Sequence, residues 1–206
     1  MMIMKRVLIL GATGTFGTAL FKRLLVETDY HLTLVSRHAS SLFNSDDRQE
    51  VIDCDAANLD ELSRITVNHD VIYCSISGED LPIVAKNLVL LLPERARLIL
   101  MGAVGIYNEI PEDMDGDDNV SKNPDQVPNR DAVLAIEDSN LNYTILRPGY
   151  LQNGNEEDYI LTFKGEQAKG YISTIPSVVN LAINLITNNE MYVRQSVSIT
   201  KDMTNE

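Results

Sequence analysis

Cysteine is scarce in this chain: Cys54 and Cys74 are the two present in 206 residues. Both fall at the ends of expected strands, which excludes a disulfide framework. Basic side chains are also in deficit, with 17 Lys and Arg against 30 Asp and Glu, a formal net charge of −13. That balance opposes phosphate backbones and anionic bilayers, so neither nucleic acid nor a membrane is an expected partner. Solubility explains the acidity. No apolar run approaches the roughly 20 residues that span a bilayer, and Leu88 to Leu92 reads as the end of a core helix. The three histidines offer no metal-ligand spacing: His31 and His69 precede strands, and His38 follows Arg37. Met1 to Arg6 runs straight into the first expected strand without the basic leader, apolar stretch and cleavage site of a signal peptide. A cytoplasmic location is expected.

What is present is an ordinary globular composition, 44% apolar and 23% charged, at a length that suits one domain. Its most informative stretch is Val7-Leu8-Ile9-Leu10-Gly11-Ala12-Thr13-Gly14-Thr15-Phe16-Gly17. Four consecutive apolar residues read as a strand buried on both faces. Gly11, Gly14 and Gly17 follow at Gly-x-x-Gly-x-x-Gly spacing, and then a helical pattern of Leu20, Leu24 and Leu25. A strand turning sharply into a helix aims free backbone N–H groups and the positive end of the helix dipole at one point. Glycine there lets a diphosphate approach the backbone. The stretch therefore reads as a dinucleotide site.

His31 to Val35 is the second expected strand, ending in Ser36-Arg37. An acid at this point would accept from adenosine ribose hydroxyls; a hydroxyl and a guanidinium suit a 2′-phosphate instead. NADP(H) is thus preferred over NAD(H). Glu50 to Asp55 reads as a third strand, with Asp55 at the sheet edge either near adenine or capping the next helix with Asn58. Asp70 to Ser75 is a fourth strand followed by Ile76-Ser77-Gly78, where small residues let ribose and nicotinamide lie against backbone. A helix with Asp80 or Glu79 before Pro82 as its start and Pro93 as its stop leads to a fifth strand, Arg97 to Met101, and then Gly102 and Tyr107. Residues 103–129 form a long acidic loop with six acids between Glu109 and Asp118; it reads as a lid, an interaction loop or a solvated loop. A helix from Arg130 to Ser139 and a sixth strand from Tyr143 to Leu146 follow, ending in Arg147-Pro148-Gly149-Tyr150. The remaining residues, 150–206, form a small substrate-side portion: weak extended pieces near Tyr159 to Phe163 and Gly170 to Ser173, a helix from Pro176 to Thr187, and a strand from Ser196 to Thr200. Strand–helix alternation predicts an α/β, doubly wound parallel sheet in a single domain.

With Gly11 to Gly17, Ser36-Arg37, Cys54-Asp55 before a helix and the run Ser139 to Gly149, the chain resembles the atypical short-chain dehydrogenases/reductases. The nearest likeness is to their NAD(P)H-binding, NmrA-like group. The resemblance covers nearly the whole chain and implies a Rossmann-like fold. It implies that Gly11, Thr13, Gly14, Thr15 and Phe16 hold the pyrophosphate and that Ser36 and Arg37 hold the 2′-phosphate. Asp55 would lie near adenine, and Cys74, Ser75 and Ile76 near the ribose and nicotinamide, with Pro148 and Gly149 closing the nicotinamide side. The departures concern catalysis. The Tyr-x-x-x-Lys pair of standard members falls on Asp125 and Asn129, and Gly102 stands where flavin-reductase-like members place a serine. Tyr107 and Tyr150 are the remaining candidate proton donors. The expected function is reduction of a flat redox-active small molecule by NADPH. The alternative is a non-enzymatic NADP(H) sensor acting through a protein partner.

Overall fold

The computed structural model describes residues 4–203; Met1 to Ile3 of the expected lead-in, and residues 204–206, lie outside them. The apolar run that the sequence offers first becomes β1 (Arg6–Leu10), with four of its five residues buried. Its side chains alternate between two cores, as strand geometry requires. Val7 and Ile9 pack with α1 (Thr15–Glu27) and α5 (Ile175–Thr187). Leu8 and Leu10 pack with α2 (Leu59–Ile65), α3 (Leu81–Leu91) and α4 (Val127–Glu137) on the other face.

The remaining strands are β2 (His31–Ser36), β3 (Gln49–Asp53), β4 (Val71–Cys74), β5 (Arg97–Met101), β6 (Asn142–Pro148), β7 (Tyr150–Leu151), β8 (Ile160–Phe163), β9 (Ile172–Ser173) and β10 (Gln195–Thr200). Eight of them form one sheet in the order β3-β2-β1-β4-β5-β6-β10-β8, while β7 and β9 pair separately. The chain order reverses between β1 and β4, which are both flanked by parallel neighbours. In open α/β sheets the carboxyl edge at such a reversal is where ligands bind. This is a Rossmann-like, doubly wound α/β domain. No helix among the described residues is long and apolar enough to cross a membrane.

Three expectations need correction. The sheet is not wholly parallel, because β8 runs antiparallel to β10. No helix separates β6 from β8, so the chain re-enters from the edge at which β6 ended; a parallel partner needs a long crossover. The fourth helix starts at Val127, not Arg130. Pro128 sits in its first turn, where a missing N–H costs no helical hydrogen bond. The acidic stretch is a folded segment of short turns. Glu109 is buried in an ion pair with Arg147, and the Asn119 side chain bonds both backbone groups of Ile110 (3.0 and 2.8 Å). The Tyr171 hydroxyl donates to Asp118, while Lys122 bridges Glu112 (2.7 Å) and Asp117 (3.3 Å).

Candidate cofactor-binding site

At the end of β1 the chain reverses into α1 through a turn only glycine fits well. Gly11 has φ +84°, and a Cβ there would press to 3.1 Å of the Ser75 and Ile76 backbone. The Gly11 N–H donates to Val35 O (2.9 Å), and the Gly14 N–H donates back to Gly11 O (3.0 Å), closing the turn. Gly14 is the N-cap of α1 and supplies no capping side chain. The first-turn N–H groups therefore remain available to an anion at the positive end of the helix dipole. Gly17 lies beneath this turn: a Cβ on it would fall 2.2 Å from Gly11 O. Its role in the fold is to let α1 press against the loop.

Two adjoining cavities open beside the turn. The first, of about 300 Å³, is lined by the expected residues Gly11, Thr13, Gly14, Ser36, Arg37, Asp55, Ser75 and Ile76. Ser36 Oγ is buried there and has no hydrogen-bond partner within the protein. A buried hydroxyl without a partner is costly, so it fits a ligand oxygen supplied from outside the chain. The Arg37-His38 corner is braced from behind, since Asp53 accepts from the Ser40 N–H (2.8 Å) and hydroxyl (2.6 Å). Those bonds hold the Asp53 carboxyl below its usual range. Asp55 Oδ1 accepts from the Ala57 N–H (3.0 Å), while Asn58 alone caps α2. Cys54 also lines the first cavity, with burial pushing its thiol up to about 11. His38, Ser77 and Asp80 also line that cavity, together with Val35, Ala56 and Val84. In sequence His38 stands beside Arg37 and Ser77 after Ile76; Asp80, legible there only as a helix start, is the polar residue that sequence reasoning missed.

The second cavity, of about 360 Å³, shares Gly14, Ser75, Ile76 and Ser77 with the first and adds Thr15, Phe16, Met101, Gly102, Asn129 and Leu151. None of these is an acid or a base. Cys74 does not line either cavity; it is fully buried in the core beneath them, and burial pushes its thiol up to about 12. Pro148 and Gly149 do not line either cavity. Pro148 O accepts from the Val104 N–H (2.9 Å). Gly149 packs so tightly that a Cβ would fall 1.9 Å from Tyr171 O. These contacts position β7, from which Leu151 reaches the cavity.

The two candidate tyrosines also stand outside both cavity walls. The Tyr107 hydroxyl donates to Glu137 (2.7 Å) and lies 3.0 Å from Ser196 Oγ. Its ring is flanked by the Arg147 and Lys164 cations (4.9 and 4.8 Å). Burial raises its pKa first, and the Glu137 contacts add to this. Tyr150 is 65% exposed and stacks on Tyr171 with centroids 6.3 Å apart. Of the positions aligned with the Tyr/Lys pair, Asn129 enters the second cavity and Asp125 does not.

These features match known proteins. A family model described as NAD(P)H-binding matches residues 11–189. No curated protein matches the chain. Among solved structures, a short-chain dehydrogenase/reductase from Veillonella parvula in complex with NADP is 27% identical, covering 99% of this chain and 98% of that one, with a TM-score of 0.86. A Rossmann-fold NAD(P)-binding family protein from Shigella flexneri is 28% identical over 99% and 97% of the two chains, with a TM-score of 0.83. An anaerobilin reductase from Escherichia coli shares the fold at 18% identity, over 96% and 97%, with a TM-score of 0.77.

Proposed function

From the premise that this chain belongs to the NAD(P)H-binding family matched by its residues 11–189, we propose that it is an NADPH-dependent reductase of a flat, redox-active small molecule of flavin or quinone type. The observation that carries this reading is the second cavity's lining: apolar Phe16, Ile76, Met101 and Leu151, hydroxyls and one amide, with no ionisable side chain. The cofactor, when bound, supplies the hydride. The chain's task is to hold the two reactants together and keep water away from them. An acceptor that takes its proton from solvent needs no acid in that wall. Tyr150 and Leu151 add an aromatic and apolar rim next to it.

In the first cavity, the glycine turn and the start of α1 would hold the diphosphate, and Ser36 and Arg37 the 2′-phosphate. The relative from Veillonella parvula in complex with NADP supports that preference. The run Ser139 to Gly149 supports membership of the NmrA-like branch of atypical short-chain dehydrogenases/reductases, and the two free buried cysteines fit a reducing cytoplasm. The lack of a Tyr-x-x-x-Lys pair favours a second reading, a redox sensor that binds NADP(H) and reports to a protein partner. Mixing the protein with NADPH and a panel of flavin, quinone and dye acceptors decides between them. Turnover above a free-acceptor control, lost in Gly14→Asp, is the expected result. Tight NADPH binding with no turnover on any acceptor would establish the sensor instead.

A further inference from the structure

Above the strand ends, the second cavity is bordered by the start of α1, the start of α4 and Leu151 of β7. Helix α4 closes the β5 end, where a Cβ on Gly102 would lie 3.2 Å from Val133 Cγ2. The cations on these two helices are engaged elsewhere. Arg23 of α1 meets Glu27 (2.6 Å) and Glu157 (3.4 Å), and Arg130 of α4 meets Asp131 (2.7 Å). Lys22 lies six residues beyond Phe16, on another face of α1. Acids gather at the rim instead. From Leu151 the exposed residues 152–158 run to α1, where Glu157 reaches Arg23, and they carry Glu156, Glu157 and Asp158 with no cation. On the other flank Tyr150 stacks on Tyr171, whose hydroxyl donates to Asp118. Burial, and after it the Asp118 and Asp115 charges, raise the Tyr171 pKa. The field of the acidic segment therefore reaches the tyrosine pair beside Leu151. Lys122 is taken up by Glu112 and Asp117, which leaves Asp115 with no ion pair among the described residues.

We propose that the second cavity selects its acceptor by charge, taking an uncharged isoalloxazine or quinone and disfavouring one that carries a phosphate or carboxylate tail. This rests on the reductase reading of that cavity. An anionic tail leaving the cavity would find no free guanidinium or ammonium on the bordering helices and would lie among like charges. NADP(H) is anionic too, but on the same reading its phosphates belong to the first cavity, with the α1 dipole, Ser36 and Arg37. The reduction is the same for either kind of acceptor, which gains a hydride from NADPH and a proton from water. Charge acts on admission, not on the chemistry.

Riboflavin and FMN share the isoalloxazine and differ by a phosphate, so together they isolate the charge. Each is titrated into NADP+-saturated protein and followed by quenching of flavin fluorescence. Riboflavin is expected to bind about three- to tenfold tighter at low salt, the size of repulsion between exposed like charges within a Debye length. The gap should close at about 1 M salt, where the Debye length is about 3 Å. Values of kcat/KM with NADPH should follow the same order. The triple variant Asp115→Asn/Glu156→Gln/Asp158→Asn changes no residue of either cavity wall. It is expected to narrow the gap and leave riboflavin binding unchanged. Equal affinity for the two flavins, tighter binding of FMN, or a gap that neither salt nor the variant moves overturns charge selection, while turnover of both flavins keeps the reductase reading intact. A wild-type protein that binds NADP+ yet neither binds nor reduces riboflavin, FMN or an uncharged quinone overturns the reductase reading and this proposal with it.

Discussion

Ser36 and Arg37 differ in how the protein treats them. Ser36 Oγ is buried without a protein partner, whereas Arg37 is exposed at the rim of the first cavity. A phosphate between them would satisfy the hydroxyl and meet a planar set of donors. Arg37→Ala is therefore expected to weaken NADPH binding by about 1–3 kcal/mol, the range for hydrogen bonds to charged groups, and to leave NADH nearly unchanged. Titration of both cofactors checks it, and equal losses would sink the phosphate assignment. These two residues were legible because they directly follow a strand whose end faces the ligand edge. Asn129 was legible as a position but not as a cavity residue. Its place depends on α4 crossing over Gly102, which no local pattern records. Tyr107 misled for the opposite reason: it follows a strand at the ligand edge, yet Glu137 and Ser196 draw its hydroxyl into a separate polar cluster.

Two elements rest on close contacts that single substitutions test. The start of α1 rests on the glycine turn because Gly17 has no Cβ to meet Gly11 O at 2.2 Å. Gly17→Ala must displace the helix or the turn, and overpacking of this kind costs about 1–3 kcal/mol. Chemical denaturation should show that loss together with weakened NADPH binding; unchanged binding would mean that the turn absorbs the methyl. The segment after β5 is held by the Glu109–Arg147 pair, where Arg147 is fully buried and also donates to Ser196 Oγ and Thr162 O (both 3.1 Å). Glu109→Ala leaves a buried guanidinium without its counter-charge, at a cost of about 3–5 kcal/mol. Adding Arg147→Met should recover much of that loss, and a double variant as unstable as the single one would refute the ion-pair account. The helices and inner strands were legible from apolar runs and from proline and glycine signals. This segment was not, because its acids look alike in sequence while Glu109 is buried, Asp118 is half-buried against Tyr171 and the others face water.

Across the whole molecule, the alternation of strands and helices was enough to anticipate the doubly wound sheet, and the glycine turn was enough to locate the ligand edge. The antiparallel edge strand β8 and the β7–β9 pair were not legible as partners, since β7 and β9 pair in parallel with no helix between them while β8 and β10 pair antiparallel across a helix, α5, that suggests a parallel crossover. The opposite edge of the sheet carries a titrating contact that bears on global stability. Asn68, with φ 67°, turns the chain so that His69 Nε2 lies 2.8 Å from Thr33 Oγ1, a fully buried hydroxyl on β2. Burial lowers the His69 pKa below its ordinary 6.5, and the Arg6 charge and His31 add to this. The Thr66 backbone and Glu50 act in the opposite direction. The native state therefore holds His69 neutral where the unfolded chain would already be protonated, so the unfolded state binds more protons and stability falls as pH drops below about 6.5. Protonation of carboxylates on a chain of net charge −13 acts at the same time, which makes the useful measurement a difference. His69→Gln keeps a side chain able to bond Thr33 but cannot titrate. Its Tm relative to wild type should rise steadily between pH 8 and pH 5. Parallel Tm profiles over that interval would show that the Thr33–His69 contact does not couple protonation to folding.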